Sequence, residues 1–326
     1  MSKVIVTGSL GFIGSHLCNL LIDEGHTVVG IDDLSGGSSD NGGRCEHIIA
    51  DCRDEERMDQ IFRRERPQIV YHLAANAAEG KSIYSPIDIT SRNYDAFIKV
   101  LTPFIKYGGK RFVFTSSIAV YGEQQTPFKE DATPDPEDLY GISKLAIEQS
   151  LKIMSKVHGF EYVIARPHNV YGPAQNMRDP YRNVVTIWMN KALRDEPITI
   201  YGDGSMKRCF SYIDDVIDPL YECGIADIAG MTFNIGSDLA YRIDELADAI
   251  DECHSINREY LPKREQEVQD AISDHSLLRK HLGYHETPLK DGIAVTWEWA
   301  QKMGAQEPIY TPIEIMSSSL PANWIK

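Results

Sequence analysis

Tyr140 and Lys144 stand four residues apart in DLYGISK, at the start of a helix-like segment, so their side chains share one face. A phenol beside an ammonium is a proton-transfer pair. Its ordinary pKa lies near ~10, and positive charge next to it lowers that value. The resulting phenolate can take a proton from a substrate hydroxyl while the hydrogen on the same carbon leaves as hydride. Upstream, Thr115-Ser116-Ser117 ends the apolar run Phe112-Val113-Phe114 and supplies hydroxyls, Ser117 being the one to face the reacting oxygen. The two residues that follow, Ile118 and Ala119, can neither donate nor accept a proton. Taken alone, YxxxK is commonly a solvated pair, and a serine at a strand end commonly bonds backbone. Their joint presence gives them weight.

A leaving hydride needs an acceptor, and TGSLGFIG supplies a place for one. Gly8, Gly11 and Gly14 sit between a strand and a helix, where glycines allow a tight turn and the helix N-terminus offers free N–H groups to a pyrophosphate. Asp32 ends the next strand. A carboxylate there hydrogen-bonds the ribose hydroxyls of NAD and repels a 2′-phosphate, which favours NAD over NADP. Asp51, after the third strand, either meets the adenine or caps the helix beginning near Asp54.

These residues need a scaffold, and the first half of the chain alternates strands with helices. Strands are expected at Lys3–Thr7, Thr27–Ile31, His47–Ala50, Gln68–Leu73, Arg111–Thr115 and Glu161–Ala165. Between them lie the helical segments Phe12–Glu24, Glu55–Arg66, Ile87–Tyr107 and Leu139–His158, the third interrupted at Pro103. Near-continuous apolar strands alternating with helices indicate an α/β fold, a Rossmann-like doubly wound parallel sheet. From Arg166 onward Pro and Gly become frequent, and a smaller mixed α/β region is expected, interleaved with the first. The Gly/Ser-rich segment Ser35–Gly43 reads as a mobile loop, and the last twenty residues as an extended surface tail.

Lys plus Arg number 33 against 48 Asp plus Glu, a net charge of −15, which argues against nucleic acid or an anionic membrane as partner. The six cysteines lack CxxC spacing and suit a reducing compartment. The chain offers no signal-peptide h-region and no apolar run long enough for a membrane span, so the expected setting is the cytoplasm.

TGSLGFIG, HLAA (72–75), TSSIAVYG, LYGISK, RPHNVYGP (166–173) and IYGDGSMKRCFSYIDDV (200–216) together resemble the extended short-chain dehydrogenase/reductases of the nucleotide-sugar epimerase and dehydratase group. The resemblance implies an NAD-binding Rossmann domain over residues 1–166, joined by a later segment near 209–236. It implies a nucleotide-sugar-binding domain mainly over 167–326, no metal, and a homodimer formed through the YxxxK helix and its neighbour. It makes Tyr140 the base, Lys144 the ribose anchor and Ser117 the hydroxyl on the reacting oxygen. Cofactor contacts are implied at Gly8, Gly11, Phe12, Ile13, Gly14 and Asp32, at Asp51, Cys52, Leu73, Ala74 and Ala75, and at Asn93, Ser116 and Pro167. Substrate contacts are implied at Asn169, Asn183, Val184, Arg208 and Arg264, the arginines suiting a diphosphate because a guanidinium presents a rigid fork of donors.

Two features depart from the family pattern. Of NxxGT after HLAA only Asn93 remains, and the loop 77–86, AAEGKSIYSP, brings in Glu79 and Lys81. Both are expected to face water; Lys81, Arg178 and Arg182 are the candidates for contact with a sugar carboxylate. Dehydratases of the group carry an Asp-Glu pair where this chain has Ile118-Ala119, and 4-epimerases resemble it in having small or apolar residues there. The expectation is therefore C4 epimerisation of a nucleotide sugar, a UDP-sugar, through a 4-keto intermediate. The alternatives are a 4,6-dehydratase or another keto-stage epimerase, or a silent NAD-binding scaffold.

Overall fold

β1 (Lys3–Thr7) is flanked in parallel by β2 (Thr27–Asp32) and by β4 (Ile69–His72), with Val4 paired to Val28 on one side and Ile69 on the other. The computed structural model, which describes residues 1–263, 269–321 and 324, extends this trio into a seven-stranded parallel sheet. β3 (Glu46–Ile49) closes one edge; β5 (Arg111–Thr115), β6 (Glu161–Pro167) and β11 (Thr232–Ile235) build the other, in the order β11-β6-β5-β4-β1-β2-β3. Alternate strand residues serve opposite faces. Val4, Val6 and Val113 enter one core with α1 (Phe12–Asp23) and α8 (Ile213–Ile225). Ile5, Phe112 and Phe114 enter the other with α2 (Glu55–Glu65), α5 (Ala96–Lys106) and α6 (Leu139–His158).

The sheet grows in opposite directions from β1 and β4, so the loops leaving their carboxyl ends diverge and open a crevice. The second part of the chain lies beyond that crevice. It contains small sheets pairing β7 (Val170–Tyr171) with β10 (Ser211–Tyr212), β8 (Ile198–Tyr201) with β13 (Arg258–Leu261), and β9 (Lys207–Cys209) with β12 (Ala240–Arg242) and β14 (Asp270–Ala271). Around them pack α7 (Val184–Leu193), α9 (Ile243–Cys253), α10 (Ser276–His281) and α11 (Leu289–Met303). β11 returns from this region to the large sheet, where it pairs with β6. No helix among the described residues is long and apolar enough to cross a membrane.

Pro103 does not interrupt its helix. It lies in the last turns of α5, buried with Val100, Leu101 and Phe104, so packing outweighs one missing N–H bond. The irregularity falls earlier, between α4 (Pro86–Thr90) and α5, where Ser91–Asp95 forms a wider π-helical turn. The segment Ser35–Gly43 is tied down: Ser38 N donates to Leu10 O at 3.0 Å, and the Asn41 amide donates to Leu10 O and Ala174 O at 3.1 and 3.0 Å. The tail is extended and lies along the 77–86 loop, with the Glu314 carboxylate accepting from Ile87 N and Asp88 N at 2.8 Å each.

Candidate functional site

The crevice is a cavity of about 1070 Å³, and β1, β2, β4, β5 and β6 all deliver their carboxyl ends to it. At its floor Gly8 adopts φ +71°, and a Cβ at Gly14 would lie 2.0 Å from Gly8 O. α1 begins at this turn with no side-chain cap and no acidic residue in its first turn, which leaves its N-terminal amides for an anion. Gly11, Phe12 and Ile13 line the cavity there. Asp32 accepts from Leu10 N at 2.9 Å and Leu34 N at 2.8 Å, and burial raises its pKa. Asp51 and Cys52 also line it; Asp51 accepts from the Arg53 amide and guanidinium, while Asp54 caps α2, so the capping role expected as an alternative for Asp51 belongs to its neighbour. Leu73, Ala74 and Ala75 complete this half with their backbone after β4.

These groups fit a dinucleotide: a helix N-terminus and close-packed glycines for the diphosphate, and a carboxylate at the end of β2 for a ribose. Gly14→Ala forces Cβ against Gly8 O. Strain of about 1–3 kcal/mol borne by the loop should weaken NAD binding by up to about 100-fold, read by fluorescence titration.

Asp138 caps α6 by accepting from Gly141 N at 2.7 Å, which fixes the first turn and presents Tyr140 and Lys144 on one face. Lys144 is 3% exposed and donates to Thr115 O at 2.7 Å; burial pulls its ammonium down to about 7. Ser117 accepts from Ala119 N at 3.1 Å, and its hydroxyl acts to lower the pKa of the Tyr140 phenol, so the backbone bond leaves it able to serve the site. In the protein by itself the phenol is pushed up, first by burial and then by the Glu79 carboxylate, with the Ser117 hydroxyl and Arg182 opposing. The depression expected from Lys144 is thus not produced by the chain alone. The ammonium spends its donor on Thr115 O, and the enclosed phenol lacks water to stabilise a negative charge.

On the far wall, Pro167 ends β6 and Asn169 follows with φ +40°, its amide donating to Cys209 O at 3.0 Å. Asn183 caps α7, accepting from Val185 N at 3.2 Å, and places Val184 at the cavity. Arg208 on β9 lines the same wall and donates to Lys207 O and Gln269 O at 2.8 and 3.0 Å. Arg264 lies outside the described residues.

Of the two loop charges only Lys81 is sealed from water, while Glu79 stays exposed as expected. Lys81 is 2% exposed, donates to Thr311 Oγ1 and lies 5.0 Å from the centre of the Tyr181 ring. Glu79 opens α3 (Glu79–Ser82) and faces the interior of the cavity. Asn93 stands one layer behind the lining: its side chain accepts from Asn76 N at 2.8 Å and donates to Asn76 O and Ser143 Oγ at 3.1 Å each. It holds the loop after Ala75 against α6. Ser116 turns its hydroxyl to Glu148 at 2.6 Å, leaving its backbone to the cavity.

The family profile described as "NAD dependent epimerase/dehydratase family" matches residues 4–236. The chain belongs to the NAD dependent epimerase/dehydratase family. Among curated members it is similar to a UDP-glucose 4-epimerase of Mycolicibacterium smegmatis, 31% identical over 310 residues, spanning 91% of this chain and 98% of that one. A crystal structure of the Thermotoga maritima UDP-glucose 4-epimerase with UDP-glucose superposes with a TM-score of 0.87 at 33% identity, covering 92% of this chain and 99% of the other. The Bacillus cereus UDP-glucuronic acid 4-epimerase, solved with UDP-glucuronic acid and NAD, gives 0.85 at 28% identity, with 92% and 99% covered.

In this member of the family a further set of residues, absent from the sequence-derived site, packs behind the candidate catalytic set. Glu148, 1% exposed, receives Arg166 (2% exposed) through two donors at 2.9 and 2.6 Å and Ser116 Oγ. Arg166 also donates to the Tyr121 hydroxyl at 2.7 Å, which donates to Asn234 Oδ1 at 2.7 Å. The network joins α6, β5, β6 and β11 directly behind Ser117. A signal for it exists in the sequence. Glu148 continues the Tyr140–Lys144 face at the next four-residue step, and Arg166 ends an apolar strand, where a charge requires a partner.

Proposed function

We propose that this protein is an NAD-dependent 4-epimerase of nucleotide sugars, acting on a UDP-linked hexose, N-acetylhexosamine or uronate. The observation that carries the reading is the meeting of Ser117, Tyr140 and Lys144 at one end of the cavity, beside Ile118 and Ala119, which bring no acid or base. Tyr140 takes the proton of the C4 hydroxyl, Ser117 holds that oxygen, and Lys144 anchors the cofactor ribose and adds positive charge near the phenol. NAD, when bound, would supply the hydride acceptor and donor for C4. With no carboxyl at the Ile118–Ala119 position to remove a C5 proton or expel a C6 hydroxyl, the 4-keto sugar turns over and is reduced on its other face, Tyr140 returning the proton to the C4 oxygen. Asn169, Arg208 and Arg264 are assigned to the diphosphate, and Asn183 and Val184 to the nucleotide.

The test is incubation with UDP-sugars, following the anomeric and H4 signals by NMR. The product should have unchanged mass without stoichiometric NADH. A product lighter by one water, or NADH accumulating in step with product, would refute the reading. We further assign a cytoplasmic homodimer joined through α5 and α6; on α6 the apolar Ile142, Ile153 and Val157 are 49%, 64% and 70% exposed. Light scattering should return the mass of a dimer.

A further inference from the structure

C4 epimerisation leaves Glu79, a carboxylate of the cavity, without a task. Glu79 lines it together with Ser117, Tyr140, Arg182 and Arg208. Its helix, α3, packs on α6, the helix that carries Tyr140. The carboxylate makes no hydrogen bond or ion pair among the described residues, although its charge is felt by the Tyr140 phenol. The loop around it is pinned. Lys81 is buried under Thr311 and Tyr181, and a Cβ at Gly80 would stand 3.2 Å from the Trp324 ring.

The three cations considered for a sugar carboxylate each have another partner. Lys81 donates to Thr311, Arg182 pairs with Asp179 at 2.8 Å, and Arg178 donates to Glu307 O at 3.3 Å. What remains beside the reacting end is an unpaired acceptor with a negative charge, which hydrogen-bonds sugar hydroxyls and repels a second carboxylate. We propose that Glu79 selects the substrate by charge, accepting neutral hexosyl groups and excluding uronates. This rests on the 4-epimerase reading and narrows its substrate class.

The selection is expected to depend on pH. Glu79 is exposed to the water of the cavity, and crowding by the surrounding wall first and Asp138 second push its carboxyl up to about 7. The charged and titratable groups facing it are Asp138 and Tyr140 from α6, Arg208 from β9 and Arg182 from the segment before α7, with Lys81 on its own helix. The carboxyl is neutral below its raised pKa and anionic above it, so discrimination against uronates strengthens as pH rises through neutrality.

The experiment compares kcat/KM for UDP-glucose and UDP-glucuronate on the NAD-loaded enzyme and its Glu79→Gln variant. The hexose-to-uronate ratio should fall by about 30- to 300-fold on substitution, the scale of one like-charge contact in a partly enclosed site. In wild type the ratio should grow with pH, a dependence the variant loses. Binding of the same two nucleotide sugars to the NAD-loaded Tyr140→Phe variant gives the ratio without turnover, so failure of the 4-epimerase reading and failure of the Glu79 assignment produce different results. A ratio that stays within about threefold in Glu79→Gln, or a wild type that prefers the uronate, overturns the proposal.

Discussion

Tyr140→Phe should keep NAD bound while lowering kcat for C4 epimerisation by about 10²- to 10⁴-fold, the usual contribution of a positioned acid–base group. The ring is buried at 5% exposure and phenylalanine fills the same space, so packing is retained and only the O–H is lost. The other two members of the set are engaged: Ser117 is held by Ala119 N, and Lys144 by Thr115 O. Turnover followed by NMR, with cofactor content measured on the denatured variant, separates chemistry from binding. Activity within about threefold of wild type would remove Tyr140 from the reaction. Because burial and Glu79 push the phenol up, the rate should rise with pH as the base form becomes populated. Glu79→Gln removes a negative neighbour and should move that limb to lower pH.

Glu148→Ala should lower the unfolding free energy by about 3–5 kcal/mol, measured by urea denaturation of the NAD-loaded protein. The substitution strands the Arg166 guanidinium, 2% exposed, with only the Tyr121 hydroxyl and Glu130 O as partners, and it orphans Ser116 Oγ. An uncompensated buried charge is far more costly than the pair is stabilising, so Glu148→Leu combined with Arg166→Met should recover most of the loss. A single variant as stable as wild type, or a double variant no better than the single, would contradict this account. The network also spans α6 and the end of β5, so the single variant should lose activity through misplacement of Ser117 as well as stability.

Several features were legible in the sequence because they are local. The parallel sheet followed from apolar runs alternating with helical segments; their ends fall within a residue or two of the strands observed. The cofactor loop followed from three glycines between a strand and a helix, where a Cβ at the third has no room. Tyr140 and Lys144 followed from one turn of helix, and the absence of an acid after Ser117 from two adjacent letters. Pro103 was misjudged because propensity is local as well: the buried face of α5 carries the helix past a residue that would break an exposed one.

The remainder depended on residues far apart in the chain. Whether Lys81 faces water or is sealed off is decided by Thr311, 230 residues away, and no spacing rule connects them. The direction in which Tyr140 titrates depends on burial and on Glu79, which a loop sixty residues upstream folds back against α6. Composition and periodicity determine which elements form and which side chains share a face, since these depend on near neighbours along the backbone. Which charges end up paired, buried or alone in the cavity depends on distance and solvent access, and those exist only once the tertiary structure has formed.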